Sequence, residues 1–275
     1  MTRLGLGTAQ FGQAYGVSNT RGQVAPDDAA AILARAAQAE IRVLDTAANY
    51  GQAETVLARL HTAPFRIVTK TISVRDGVSA VIARARQSAK NLHADTLLVH
   101  AAADLADGTL WPALQALKAE GIFRNIGISA YVADDPAALA ARYRPDVMQL
   151  PFSLLDQRLL QNGTLAKLKA LGVEIHARSI FLQGLLFLDT LPEKLRPAAP
   201  QLAAIKTTIA DAGSTPLAAA LGFVLSRPEI DVALVGVTTA AELDEILTAA
   251  GRPLPDLDWT ALALNDDVTL TPSLW

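Results

Sequence analysis

The sequence predicts a single-domain α/β protein folded as a (β/α)8 TIM barrel. Short apolar runs rich in β-branched residues recur along the whole chain, alanine- and leucine-rich stretches with helical spacing lie between most of them, and the runs number eight. Alternation of this kind marks βαβ units around a parallel sheet, and eight of them suggest closure. The strand candidates are 4–7, 43–45, 67–69, 96–99, 126–128, 147–150, 174–177 and 232–235. An open doubly wound sheet would also alternate, but it more usually carries a glycine-rich phosphate loop after an early strand. Gly5-Leu6-Gly7-Thr8-Ala9-Gln10 has no third glycine at the required spacing.

The helical stretches fit between the strands. The first, 26–39, opens with Pro26, Asp27 and Asp28, residue types suited to a first turn, and 78–92 repeats apolar residues every three to four positions. Further helices are expected at 112–120, 136–142, 163–171, 216–226 and 240–249. The proline-rich stretch 189–200 reads as a surface loop after the seventh strand, and the tail from Leu254, with Trp259 and Trp275, as a segment laid over the barrel. No linker divides the chain, so residues 1–275 are expected to form one domain.

Composition narrows the function. With 51% hydrophobic residues the chain can bury a large core. Against 27 acidic side chains stand 24 basic ones, a net charge of −3 with no run of like charges. That balance offers no footprint for a nucleic-acid backbone or an anionic membrane, leaving a small soluble partner as the default. The absence of cysteine excludes disulfides, thiolate metal sites and a cysteine nucleophile, so catalysis must use oxygen, imidazole or amine groups. The opening residues, Met1 to Gly5, lack the apolar core of a signal peptide, and no segment approaches 18 uninterrupted apolar residues; a cytoplasmic location is the expectation.

In a (β/α)8 barrel the reacting groups come from the C-terminal ends of different strands. That rule selects Asp45 at the second strand, Tyr50 in the loop after it, Lys70 at the third, His100 at the fourth, Ser129 after the fifth and Gln149 near the end of the sixth. Tyrosine, lysine, aspartate and histidine together suggest proton transfer coupled to carbonyl reduction. A tyrosine hydroxyl, with a reference pKa of about 10, is a poor acid at neutral pH unless something assists it. A neighbouring ammonium favours the phenolate, a carboxylate keeps that ammonium charged, and an imidazole can bond the phenol or the substrate oxygen. Each residue alone has an ordinary reading: a helix cap for Asp45, a solvated charge for Lys70, a core imidazole for His100, a rim aromatic for Tyr50. Their placement at consecutive strand ends carries the joint reading.

Several segments, in order, resemble the aldo-keto reductase superfamily from Leu4 to about Leu247. Asp45-Thr46-Ala47-Ala48-Asn49-Tyr50-Gly51 with Glu54 is similar to its active-site signature. Ile67-Val68-Thr69-Lys70 and Leu97-Leu98-Val99-His100 resemble its lysine and histidine strands, and Ile126-Gly127-Ile128-Ser129 and Met148 to Leu155 its fifth and sixth strand ends. The resemblance implies that Tyr50 is the general acid, that Lys70 and Asp45 tune it, and that His100 orients the carbonyl. It also implies NADPH or NADH without a metal, with Ser129 and Gln149 at the nicotinamide carboxamide.

The departures from the family pattern are informative. Ala130 stands where an asparagine is common. In the segment that carries Arg178, Ser179, Phe181 and Gly184, all taken as cofactor contacts, Arg178 replaces a tyrosine that stacks on the nicotinamide. A guanidinium can stack on a ring but disfavours the cationic oxidised form, so Arg178 is expected to favour reduced cofactor. Gly236 opens the phosphate-binding turn, Thr238 replaces a Lys or Arg that meets the 2′-phosphate, and Glu242 stands where Arg or Gln is common. A carboxylate there repels a phosphate and can accept from a ribose hydroxyl, which favours NADH, with NADPH the other admissible form.

The loop 11–19 resembles one in a bacterial branch of the superfamily, and its Tyr15 lines the mouth or packs the loop. Three functions follow. The first is reduction of a small aldehyde, ketone or sugar. The second is an NADH-binding sensor with little turnover that reports to a regulatory protein partner, as bacterial cell-division and cell-fate regulators on this scaffold do; short substrate loops, Arg178 and Ala130 are compatible with it. The third is an aldolase using Lys70 as a Schiff base, which leaves Ser129, Gln149 and Gly236 unexplained.

Overall fold

A computed structural model describes residues 3–275. Eight strands, β1 (Leu4–Gly7), β2 (Val43–Asp45), β3 (Arg66–Lys70), β4 (Thr96–Val99), β5 (Asn125–Ser129), β6 (Val147–Pro151), β7 (Glu174–Arg178) and β8 (Val232–Gly236), pair in parallel and in sequence order. β1 also pairs with β8, Leu4 opposite Ala233 and Gly7 opposite Gly236, which closes the barrel. The strands begin and end within a residue of the sequence expectation.

Side chains alternate faces along a strand, so every second residue points into the barrel. Val43, Val68, Leu98, Val147, Val232 and Leu234 form an interior apolar cluster, separate from the larger core between strands and helices. Two residues further along, the same parity aims Asp45, Lys70, His100 and Gln149 inward above that layer. At the opposite end, where β3 and β7 begin, Arg66 Nη1 donates to Glu174 Oε2 at 2.9 Å, and His176 Nε2 lies 2.8 Å from Glu174 Oε1. Burial opposes the Glu174 charge, but Arg66 and His176 outweigh it and hold the carboxyl at about 2. Apolar layer and ionic plug together fill the barrel below its mouth.

Helices Pro26–Gln38, Val78–Leu92, Leu110–Ala119, Pro136–Tyr143, Thr164–Ala170, Pro216–Leu225 and Ala240–Ala250 coat the outside as expected. Their starts have local causes: Pro26 and Pro216 sit in first turns that need no N–H, and the Thr215 and Thr239 side chains accept from Ala218 N and Glu242 N.

Besides the single turns Ala9–Gly12, Arg158–Gln161 and Asp267–Leu270, two longer helices escaped the sequence reading, Ala53–Leu57 and Ala199–Asp211. In the second, Leu202, Ile205 and Ile209 form a buried stripe at helical spacing, and Pro200 lies in the first turn instead of marking a loop. The stretch 189–200 is mostly exposed, with a 3-10 helix at Glu193–Ala198. The tail does cross the C-terminal side of the barrel: Leu264 N donates to Leu155 O at 2.9 Å, and the rings of Trp259 and Phe223 lie 5.5 Å apart. Among the described residues no single helix is long and apolar enough to cross a membrane, and no group of three His, Asp or Glu side chains is placed to hold a metal ion.

Candidate active site

A cavity of about 870 Å3 opens at the C-terminal ends of the strands, and every sequence-predicted site residue lines it. At its floor Lys70, 1% exposed, spends all three of its N–H donors: on Asp45 Oδ2 at 2.6 Å, on Thr46 O at 3.0 Å and on the Tyr50 hydroxyl at 3.2 Å. Burial disfavours this ammonium, but Asp45 and Tyr50 outweigh burial and raise the Lys70 pKa above its ordinary value. Lys70 is therefore a fixed positive charge touching the phenolic oxygen. An amine nucleophile must be neutral, so the same geometry argues against Schiff-base chemistry at Lys70.

His100 meets Tyr50 edge to face, with ring centroids 5.8 Å apart, and its backbone N–H donates to Thr71 Oγ1 at 3.1 Å. Burial, and then the Lys70 charge, push its pKa down to about 4, which leaves a neutral imidazole at physiological pH. Its Nδ1 is buried without a hydrogen-bond partner among the described residues.

Gln149, expected only as a cofactor contact, also braces the floor, since its Nε2 donates to Asp45 Oδ1 at 2.6 Å. Asp45 is thus gripped on both oxygens, by Lys70 and by Gln149, while the Gln149 Oε1 and second N–H stay available beside Ser129. Arg178 lies over the Tyr131 ring, 4.3 Å from its centroid, with longer contacts to Ala130 O at 3.3 Å and Ser179 Oγ at 3.4 Å. Ser179, Leu182 and Gln183 all have positive φ, so the segment after β7 that carries Phe181 and Gly184 follows a path L-residues rarely take; such strain gathers where a backbone clasps a ligand. Tyr15 also lines the cavity, and burial raises its pKa.

At the far end Glu242 accepts from Thr238 N at 2.6 Å and from Thr238 Oγ1 at 2.8 Å, within the first turn of the helix Ala240–Ala250. The Glu242 carboxylate therefore shapes the turn after β8 as well as lining the cavity.

Sequence reasoning missed the support under Tyr50. Glu54, four residues after it, is buried and accepts from Thr69 Oγ1 at 2.5 Å and Ser88 Oγ at 3.0 Å, with Arg84 paired to its second oxygen. Thr69 precedes Lys70 on β3, so one carboxylate ties the tyrosine loop to the lysine strand. Gly12 is also required here: a Cβ on it would fall 1.7 Å from Tyr50 O. Gln10 and Arg21 line the cavity as well, and no motif had singled them out.

The residues present fit a nicotinamide dinucleotide. The cavity lies in the size range of ligand sites, carries amide and hydroxyl groups at one end and a helix N-terminus at the other, and has a bare backbone floor at Gly236. A Cβ there would come within 2.7 Å of the Gln10 amide.

A closed parallel barrel with a charged lysine under a tyrosine hydroxyl, at the floor of a dinucleotide-sized cleft, defines a class of barrel oxidoreductases. The chain belongs to the Aldo/keto reductase family, which it matches over residues 3–264. It is 27% identical over 277 aligned residues, 90% of this chain and 84% of the relative, to the L-galactose dehydrogenase of Arabidopsis thaliana. Its fold is similar to that of the aldo-keto reductase AKR11C1 from Bacillus halodurans in its holo form, with a TM-score of 0.74, 19% identity and coverage of 94% and 90% of the two chains. It is also similar to a candidate aldo-keto reductase from Pseudomonas aeruginosa, with a TM-score of 0.65, 22% identity and coverage of 90% and 89%. As a member of this family the protein is an NAD(P)H-dependent oxidoreductase of small carbonyl compounds. The regulatory reading finds no support in these relatives.

Proposed function

We propose that the protein interconverts a small, hydroxylated aldehyde, ketone or sugar and its alcohol with NADH, using Tyr50 as the proton-transfer residue. The observation that carries this reading is the buried Lys70, bonded at once to Asp45 and to the Tyr50 hydroxyl at the cavity floor. The nicotinamide, when bound, supplies or receives the hydride at the carbonyl carbon. Tyr50 gives its proton to the carbonyl oxygen during reduction, and the Lys70 ammonium stabilises the negative charge left on the phenolic oxygen. Asp45 keeps Lys70 charged and aimed, and Gln149 keeps Asp45 in place. His100, neutral, offers an uncharged imidazole to the same carbonyl oxygen and does not compete with Tyr50 as an acid.

Ser129 and Gln149 would hold the carboxamide, with Arg178, Ser179, Phe181 and Gly184 around the nicotinamide half and Gly236, Thr238 and Glu242 at the adenosine half. Thr238, Glu242, Glu245 and Ile246 line that far end, two of them carboxylates on a helix, Ala240–Ala250, that carries no lysine or arginine, which supports NADH over the extra phosphate of NADPH. The Arg178 guanidinium supports tighter binding of the reduced form, since it faces no ring charge there. Aromatic surfaces at Tyr15, Tyr131, Phe181 and Phe187, interspersed with hydroxyl and amide groups, suit a hydroxylated substrate, as does the name of the plant relative.

Calorimetric titration of the four nicotinamide forms, followed by a carbonyl panel, tests the proposal. Tighter NADH than NADPH binding and loss of turnover in Tyr50→Phe are expected; tighter NADPH binding sinks the cofactor preference, and full turnover by Tyr50→Phe sinks the mechanism.

A further inference from the structure

The charged groups around the cavity leave one cation unaccounted for. Lys70 has every N–H engaged, and Arg178 rests on Tyr131 at the substrate end. Glu242 and Glu245 put negative charge at the adenosine end. A dinucleotide brings two more negative charges on its diphosphate, and these need a partner. Among the described residues Arg21 lines the cavity with no hydrogen bond or ion pair on its guanidinium.

Its backbone, by contrast, is pinned. Asn19 Oδ1 accepts from Arg21 N at 2.9 Å and from Gly22 N at 3.0 Å, and Asn19 Nδ2 donates to Gly22 O at 2.9 Å. The loop then returns along the short helix Ala9–Gly12 that follows β1, where Val24 N donates to Gln10 O at 2.8 Å and Gln23 Nε2 to Phe11 O at 3.0 Å. The Gln10 amide, itself without a hydrogen bond among the described residues, lies against Gly236 on β8. On its other side the loop touches the segment after β7, with Ser18 Oγ donating to Gln183 O at 3.4 Å. The loop therefore spans the gap between the two halves of the cleft, between Gly184 and Gly236, where the middle of a dinucleotide must lie.

We propose that Arg21 is the cation that holds the cofactor diphosphate, across the floor made by Gln10 and Gly236. The assignment rests on the dinucleotide reading of the cavity. It places the main electrostatic anchor on the loop after β1, and it predicts that anchor to be indifferent to the 2′-phosphate.

The test is the affinity of purified wild-type protein and Arg21→Gln for NADH, NADPH and ADP-ribose, measured by calorimetry without substrate. ADP-ribose carries the diphosphate but neither the nicotinamide nor the 2′-phosphate. The expected result is a loss of about tenfold or more for all three ligands, of similar size, and a shallower dependence of affinity on salt. Thermal unfolding of the free protein should be unchanged, because Arg21 has no protein partner to lose. A loss confined to NADPH would reassign Arg21 to the 2′-phosphate and overturn the proposal, as would undiminished binding of all three. If the wild-type protein bound none of them, the cofactor reading itself would fall; wild-type binding that Arg21→Gln leaves intact overturns this inference alone.

Discussion

Replacing Asp45 by asparagine tests the floor of the cavity at its most exacting point. Both carboxylate oxygens are committed, Oδ2 to the Lys70 ammonium and Oδ1 to the Gln149 amide, each at 2.6 Å. An asparagine keeps the shape but not the charge. With its oxygen toward Lys70 and the Gln149 amide turned to accept from its N–H, every bond can be remade, yet the ammonium loses its counter-ion. Side-chain exposures of 1% for Lys70 and 6% for Asp45 leave little surface through which water could solvate the ammonium. Breaking a buried pair on one side costs about 3–5 kcal/mol. A second route caps the loss: Lys70 can shed its proton, and from an unfolded pKa of about 10.4 that costs about 4.6 kcal/mol at pH 7, at about 1.36 kcal/mol per unit. Both routes give a deficit near 4 kcal/mol.

The sign with pH follows. In the variant the folded pKa of Lys70 lies below its unfolded value, so folded stability is regained as pH rises toward about 10; at pH 9.5 the cap falls to about 1.2 kcal/mol. Wild-type Lys70, with its pKa raised, stays charged across this window in the folded state. Equilibrium unfolding in urea at pH 7 and pH 9.5 reads the difference. A deficit below about 1 kcal/mol at pH 7, or one that does not shrink by pH 9.5, would refute the buried-pair reasoning.

Three further outcomes are expected. His100, pushed to about 4 by burial and by Lys70, refuses a proton that the unfolded chain takes up near 6.5; its contribution, up to about 3 kcal/mol, is complete above pH 6.5 and lost as pH falls through 4. His100→Gln should flatten that limb of an acid-unfolding curve, and an unaltered limb would contradict it. Glu54→Gln turns one acceptor toward the Arg84 guanidinium into a donor, costing about 2 kcal/mol, and loosens Tyr50 against Lys70; kcat should fall while cofactor Kd holds, and the reverse split would remove Glu54 from a positioning role. Gly12→Ala drives a methyl group into Tyr50 O, so turnover should drop at least tenfold with a loss of about 3 kcal/mol or more in stability; activity near wild type would show that the loop yields.

The eight short apolar runs rich in β-branched residues and the helical spacing between them fixed the barrel, because every strand must bury both faces and every helix one. Strand ends such as Asp45, Lys70 and His100 were legible for the same reason: a polar residue at the close of an apolar run, on the inward parity, has only the mouth to point to. The helix Ala199–Asp211 carried its own signal in Leu202, Ile205 and Ile209, which the neighbouring prolines obscured.

Other features had no local signature. Glu54 is one residue of a recognisable motif, yet its partners Thr69, Arg84 and Ser88 come from β3 and the following helix, and only packing of that helix on the strand brings them to one carboxylate. Gln149 meets Asp45 from 104 positions away, across the barrel from β6 to β2. Arg21 belongs to no motif, and only barrel closure, which sets β1 beside β8, brings it to line the cleft. The sequence alone determined the barrel, its inward-facing strand ends and the chemistry those ends can perform, since these follow from periodicity and residue type along short segments. Only the tertiary structure decided which groups hold them in place and where charge is left unpaired, because burial and closure join residues that share no local pattern.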